Sequence, residues 1–268
     1  LIDARTFHEN LFLYNPHVEK LDVMAADVEL CILSFNHKRL STADMLLARF
    51  KNRIHYAFLM HLLAQSKLGL SWDCKNIKPD LHLGNTLNPV RSELEFSGPY
   101  WLINSGFQNS APEKWYPHYQ KVVDLLRGKV QFIQHGGPKD THGRLNGVLS
   151  IAGQTSPLEL AAAFRDCAGS LGGPGSHLHF AAAFDRPCVV ISGGQEHPES
   201  INYENQQTLF KDIGCEKVLS GNLRGCGHRG KYGKSCCPHF LGDHAACMDA
   251  IAPEEVADAI LKYQRGNL

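Results

Sequence analysis

From residue 99 onward the chain alternates short apolar runs with helix-length amphipathic ones, and this alternation restricts the fold more than any other feature of the sequence. PYWLINSG is an apolar run ending in glycine, and APEKWYPHYQKVVDLLRG has proline near its start and glycine past its end, the asymmetry of a helix. KVQFIQHGG and VLSIAG read as further strands, followed by the helix SPLELAAAFRDC, in which Ser156 can cap and Pro157 occupies the first turn. AGSLGG then leads into HLHFAAAF, and RPCVVISGG is the next strand. Strands separated by helices of this length predict an α/β chain with a parallel sheet covered on both faces. Ligands of such sheets gather at the carboxyl ends of the strands.

The part before residue 96 is less regular. VELCILSF resembles a buried strand, and ADMLLARFKNRIHYAFLMHLLAQSKLGL has apolar positions at helical spacing. NTLNPVRSELEFSGP, polar and rich in turn residues, is the candidate linker. The expected organisation is therefore residues 1–95, then 96–252, then a terminal amphipathic helix over 253–268. No internal repeat or low-complexity tract interrupts it.

Charge narrows the class of partner. Lys plus Arg number 27, as do Asp plus Glu, so no global field favours nucleic acid and any anion must be bound locally. No apolar stretch approaches the roughly 20 residues that span a bilayer, and no signal series opens the chain. A soluble, cytoplasmic protein is expected, and a first residue of Leu1 suggests a processed product or a fragment.

The segment GSLGGPGSHLHFAAAF spends four glycines and a proline just before a helix. Backbone N–H groups converge at such a helix start, where hydrogen bonds and dipole both favour a phosphate, and glycine permits close approach. A tight turn with no ligand would use the same residues. Two other strand ends, INSGFQNS and VISGGQEHPES, should open at the same rim, and three polar, glycine-bearing loops on one edge make a cleft.

The series INSGFQNSAPEKWYP, IAGQTSPLELAAAFRDC and GSLGGPGSHLHFAAAFDRPCVVISGG resembles the donor-binding half of glycosyltransferase family 9, which contains the bacterial heptosyltransferases; HENLFLYNPHVEKL extends the likeness backwards. The resemblance implies a GT-B-like architecture of two Rossmann-like lobes with parallel sheets. Residues 1–95 would then be an incomplete acceptor-side lobe and 96–252 the nucleotide-sugar-binding lobe. It also implies inverting transfer of a heptose-like sugar from an ADP-heptose-like donor to a saccharide or protein acceptor.

Residue by residue, Lys114 in KWYP matches a lysine that contacts donor phosphate, where a compact cation offsets the charge of the departing nucleotide. Gly106 and Ser110 match small and hydroxyl residues lining the phosphates, and Thr155 matches the loop before the next helix. Gly172, Gly173 and Ser176 belong to the phosphate loop, and His179 aligns with the histidine that follows it. Glu196 in GGQEHP could meet a ribose or sugar hydroxyl or cap a loop, and the likeness departs at Pro174, where many members carry an acidic residue against the donor sugar. The family's general base lies in an early loop that falls upstream of Leu1, and neither Asp3 nor Glu9 matches it, so no catalytic residue is assigned.

Nine cysteines divide into two groups. Cys31, Cys74, Cys167 and Cys188 lie in apolar or mixed surroundings and read as buried thiols. The other five crowd into residues 215–247, where little hydrophobic periodicity remains and a metal could supply the missing order. Soft thiolates suit structural iron or zinc at tetrahedral geometry, and some relatives of the heptosyltransferase group hold iron in a similar insertion. The expected ligands are Cys226, Cys236, Cys237 and Cys247, with Cys215 as substitute; disulfides are the alternative in an exported protein.

Two rival functions remain at this level. One is a metal-stabilised nucleic-acid module on the locally basic LRGCGHRGKYGK, which the neutral remainder of the chain disfavours. The other is a nucleotide-sugar-binding protein without catalysis. Self-association is left open.

Overall fold

The structure, a computed structural model, describes residues 77–106, 112–138, 143–194, 196–215 and 237–265, with scattered positions between 55 and 73. Its centre is one six-stranded sheet whose ladders are all parallel: β1 (Trp101–Asn104), β2 (Phe132–Gln134), β3 (Leu149–Ser150), β4 (Gly169–Gly172), β5 (Cys188–Gly193) and β6 (Gln206–Phe210). Across the sheet the order is β3-β2-β1-β4-β5-β6. The chain winds outward from β1 to one edge and then from β4 to the other, so the winding reverses between β1 and β4.

The helix after Ser156 follows the expected punctuation, whereas the single helix expected over APEKWYPHYQKVVDLLRG is a 3-10 turn, Pro112–Lys114, and a separate shorter helix from Tyr119. Ser156 caps α3 (Pro157–Asp166) through a reciprocal pair, its Oγ accepting from the Glu159 N–H at 3.3 Å while the Glu159 carboxylate accepts from the Ser156 N–H at 2.7 Å. Such a cap stabilises a helix by about 1 kcal/mol. The others are α1 (Pro89–Ser92), α2 (Tyr119–Leu125), α4 (Ser176–Ala183), α5 (Pro198–Ile201), α6 (Ala246–Asp249) and α7 (Pro253–Gln264).

Strand alternation sends Ile103, Leu171, Val189 and Ile191 to one face, where they meet α2, α6 and α7. Leu102, Ile133 and Val190 go to the other face, against α1, α3 and α4. Tyr116 joins α7's approach to the core by donating its buried hydroxyl to the Ile251 carbonyl at 2.9 Å. Helix residues Val256, Ala257, Ala259 and Ile260 share the core on the Ile103 face of the sheet.

The structure departs from the sequence reading again at β6 and at the segment before β1. β6 was not foreseen, because QQTLF is an edge strand with a polar, half-buried composition and lacks an apolar run. The segment read as a linker contains α1 and is fastened down: Asn88 caps it and donates 2.9 Å bonds to the Tyr100 hydroxyl and the Asp166 carboxylate. The acceptor-side lobe expected over 1–95 lies largely outside the described residues, so the described chain shows one sheet. No described helix is long and apolar enough to cross a membrane.

Candidate functional site

The carboxyl ends of β1, β4 and β5 open side by side at the place where the winding reverses. After β1 come Ser105 and half-buried Gly106. Ser105 is buried, its Oγ accepting from Gln134 Nε2 at 3.0 Å and its carbonyl accepting from Trp115 Nε1 at 3.2 Å. That second bond ties the start of the loop to its end, the 3-10 turn Pro112–Lys114. Ser110 lies outside the described residues.

Lys114 leaves this turn toward the other two loops. Its Nζ lies 2.5 Å from Glu196 Oε1 after β5 and 3.5 Å from the Pro174 carbonyl after β4. A Cβ on Gly173 would stand 3.2 Å from the Lys114 carbonyl, so a glycine lets the β4 loop run against the β1 loop. Three of the residues singled out from sequence, Lys114, Gly173 and Glu196, are therefore brought together. Pro174 enters through its backbone.

Helix α4 starts directly behind. Ser176, its first residue, is exposed, and the residue before it, Gly175, offers no side-chain cap to the first-turn N–H groups. His177 faces inward: a Cβ on Gly172 would meet its ring at 3.1 Å and the Asn104 side chain at 3.2 Å. Burial, with the neighbouring His135 and His179, pushes the His177 imidazole down to about 3, so the ring is neutral. Its Nε2 is buried without a hydrogen-bond partner among the described residues.

Thr155 does not join the Lys114 group, whereas His179 makes no hydrogen bond to it but stands close enough to feel the Glu196 charge. His179 is exposed, with Nδ1 2.9 Å from the Tyr203 hydroxyl and the two rings edge to face. Thr155 follows β3, two strands away from β1, and directly precedes the Ser156 cap. His177, which packs against Gly172 at the end of β4, was not singled out from sequence. The helix start could have revealed it, since a residue in the first turn of α4 is the one placed over the end of β4.

Beside the β5 end lies a small cavity lined by Gly194, Lys211, Ile213, His239 and three of the late cysteines, Cys215, Cys237 and Cys247. Gly193 joins this cavity to the loop: its φ of 56° suits glycine, and a Cβ there would stand 2.9 Å from Cys247 Sγ. Cys226 and Cys236 lie outside the described residues. Among the described residues no group of three or more His, Cys, Asp or Glu side chains is assembled for a metal, and no disulfide joins two of the five described cysteines. Cys167 and Cys188 are buried, as expected, and burial pushes both thiols up to about 12.

No family model and no curated protein matches the chain. Solved structures do. The iron-containing dodecameric glycosyltransferase TibC from enterotoxigenic E. coli superposes with a TM-score of 0.58 at 18% identity, over 82% of this chain and 55% of that one. TibC in complex with ADP-D-β-D-heptose gives 0.57. The E. coli ADP-heptose LPS heptosyltransferase II gives 0.53 at 15% identity, over 72% of this chain and 56% of that one. A glycosyl transferase family 9 protein from Veillonella parvula gives 0.58 at 17% identity, over 80% and 61%. The fold is thus that of these GT-B enzymes over part of their length, and the chain spans somewhat over half of each.

Proposed function

We propose that the open end of this sheet is the donor site of a GT-B glycosyltransferase, which moves a heptose-like sugar from a nucleoside-diphosphate sugar to a saccharide or protein acceptor. The observation that supports it is the convergence of Lys114, the Gly173–Pro174 backbone and Glu196 from three separate loops onto one point. The TibC–ADP-heptose complex makes an ADP-sugar the first donor to try.

In such a transfer an acceptor oxygen forms a bond to the anomeric carbon while the bond from that carbon to the phosphate oxygen breaks. The electron pair leaves with the diphosphate. A positioned ammonium stabilises charge that grows on the leaving group, and Lys114 is the group at hand. Glycines at 172 and 173 fit the β4 loop against His177 and Lys114, and the uncapped start of α4 beyond exposed Gly175 is where the phosphates would meet the main chain. The acceptor's proton must be taken by a base, which we assign to no residue of this chain.

Cys215, Cys237 and Cys247, with Cys226 and Cys236 from the same segment, offer the soft donors that iron or zinc takes. In this reading the metal is structural. Cys215, Cys237 and Cys247 would hold it beside the end of β5, where it would tie their segments to the β5 loop that carries Glu196.

A thermal-shift panel of ADP-, UDP- and GDP-sugars tests the site. A donor present at about 100 times its Kd adds about 2.7 kcal/mol to the folded state, a rise of several degrees in Tm. Lys114→Ala should weaken the productive donor at least tenfold and leave the far-UV spectrum unchanged. No shift with any donor, or equal binding by the variant, would refute the reading.

A further inference from the structure

Lys114 already has an anion. The Glu196 carboxylate sits 2.5 Å from its ammonium, and both side chains are largely withdrawn from water, at 22% and 14% exposure. Each is held from its own backbone. The Glu196 N–H donates to Ser192 Oγ at 3.2 Å, and that hydroxyl donates to the Glu196 carbonyl at 2.5 Å. The Lys114 main chain is pressed against Gly173, and its Nζ is also 3.5 Å from the Pro174 carbonyl. A phosphate entering beside Lys114 meets the carboxylate at short range, where like charges out of water exclude one another.

We propose that Glu196 is an exchangeable counter-ion of this site: it neutralises Lys114 in the ligand-free protein and yields the ammonium to an entering diphosphate. Such an exchange selects by charge. An anion no stronger than a carboxylate gains little by displacing one, whereas a diphosphate brings more charge and reaches the uncapped start of α4 as well. The rim is thereby kept from filling with orthophosphate. This inference rests on the donor-site reading only for the identity of the natural ligand.

The test is calorimetric titration of the full chain with orthophosphate and with pyrophosphate, in four variants. Glu196→Gln should bind pyrophosphate at least tenfold tighter than the wild type and should narrow the preference for pyrophosphate over orthophosphate. Glu204→Gln, which removes an equal charge from an exposed turn, should change either affinity less than twofold. In a Lys114→Ala background, Glu196→Gln should gain nothing. Unchanged or weaker pyrophosphate binding by Glu196→Gln, no measurable binding by either protein, or an equal gain from Glu204→Gln would overturn the exchange. A second readout needs no ligand: acylation of Lys114 by an N-hydroxysuccinimide ester, followed by peptide mass, should run severalfold faster in Glu196→Gln. Failure of every nucleotide-sugar to bind refutes the donor site alone, because the pyrophosphate comparison stands without it.

Discussion

Gly169 lies flat against the Trp101 indole across the β1–β4 ladder, so closely that a Cβ at 169 would fall 2.6 Å from two ring carbons. Trp101 is buried and shares the core of the α2–α7 face. The contact joins the two strands between which the winding of the chain reverses.

Gly169→Ala should therefore destabilise the chain by about 1–3 kcal/mol or more, because neither the ladder nor the ring can retreat without opening the core. Gly143 has open space around its Cβ direction and ordinary backbone geometry. Alanine there should stay within about 0.5 kcal/mol. Urea unfolding of both variants checks the contrast, and a Gly169→Ala protein as stable as wild type would mean that the two strands are not so closely apposed.

Stability should fall in acid because of His177. The imidazole is at about 3 when folded against 6.5 when free, so the unfolded chain takes up the proton first. The contribution is complete above pH 6.5 and is lost as pH drops toward 3, at up to about 1.4 kcal/mol per pH unit for one proton. His55, also lowered by burial, acts in the same direction. His177→Leu should reduce the slope between pH 6 and 4 by about one proton, as read from urea titrations at several pH values. An unchanged slope would show that the ring is not buried as described.

The late cysteines make an analytical prediction. The purified full chain should carry about one equivalent of iron or zinc, and a chelator should lower its Tm, because metal affinity at such a loop is folding energy. Cys226→Ser with Cys247→Ser should release the metal, while Cys167→Ser, altering a thiol buried at the end of α3, should retain it. A metal-free protein with unchanged Tm would leave the cluster without a metal role.

Much of the fold was legible because its main strands announce themselves. In WLIN, FIQ and CVVISG apolar residues run continuously, as strands buried on both faces must, and glycine or a polar turn follows. QQTLF at the edge is covered on fewer sides and carries no such run. The Ser156 cap was readable because its partner is three residues away, whereas α1 is too short for any periodicity to show.

The site was legible only in part, for a similar reason. Lys114 and Gly173 stand at element boundaries that local sequence marks. The partner of Lys114 depends on strand order, which no local pattern encodes. Of the two histidines in HLH, the one over the end of β4 is decided by the phase of α4, because residues two apart on a helix point to nearly opposite sides and local sequence does not fix where the helix starts.

The charge pair at the rim joins positions 82 residues apart in the chain. During synthesis the lysine-bearing turn leaves the ribosome long before its carboxylate partner does. A nascent chain halted before β5 would therefore present an uncompensated ammonium to the polyanions crowding a translating ribosome. The pair can close only after β5 has joined the sheet beside β4.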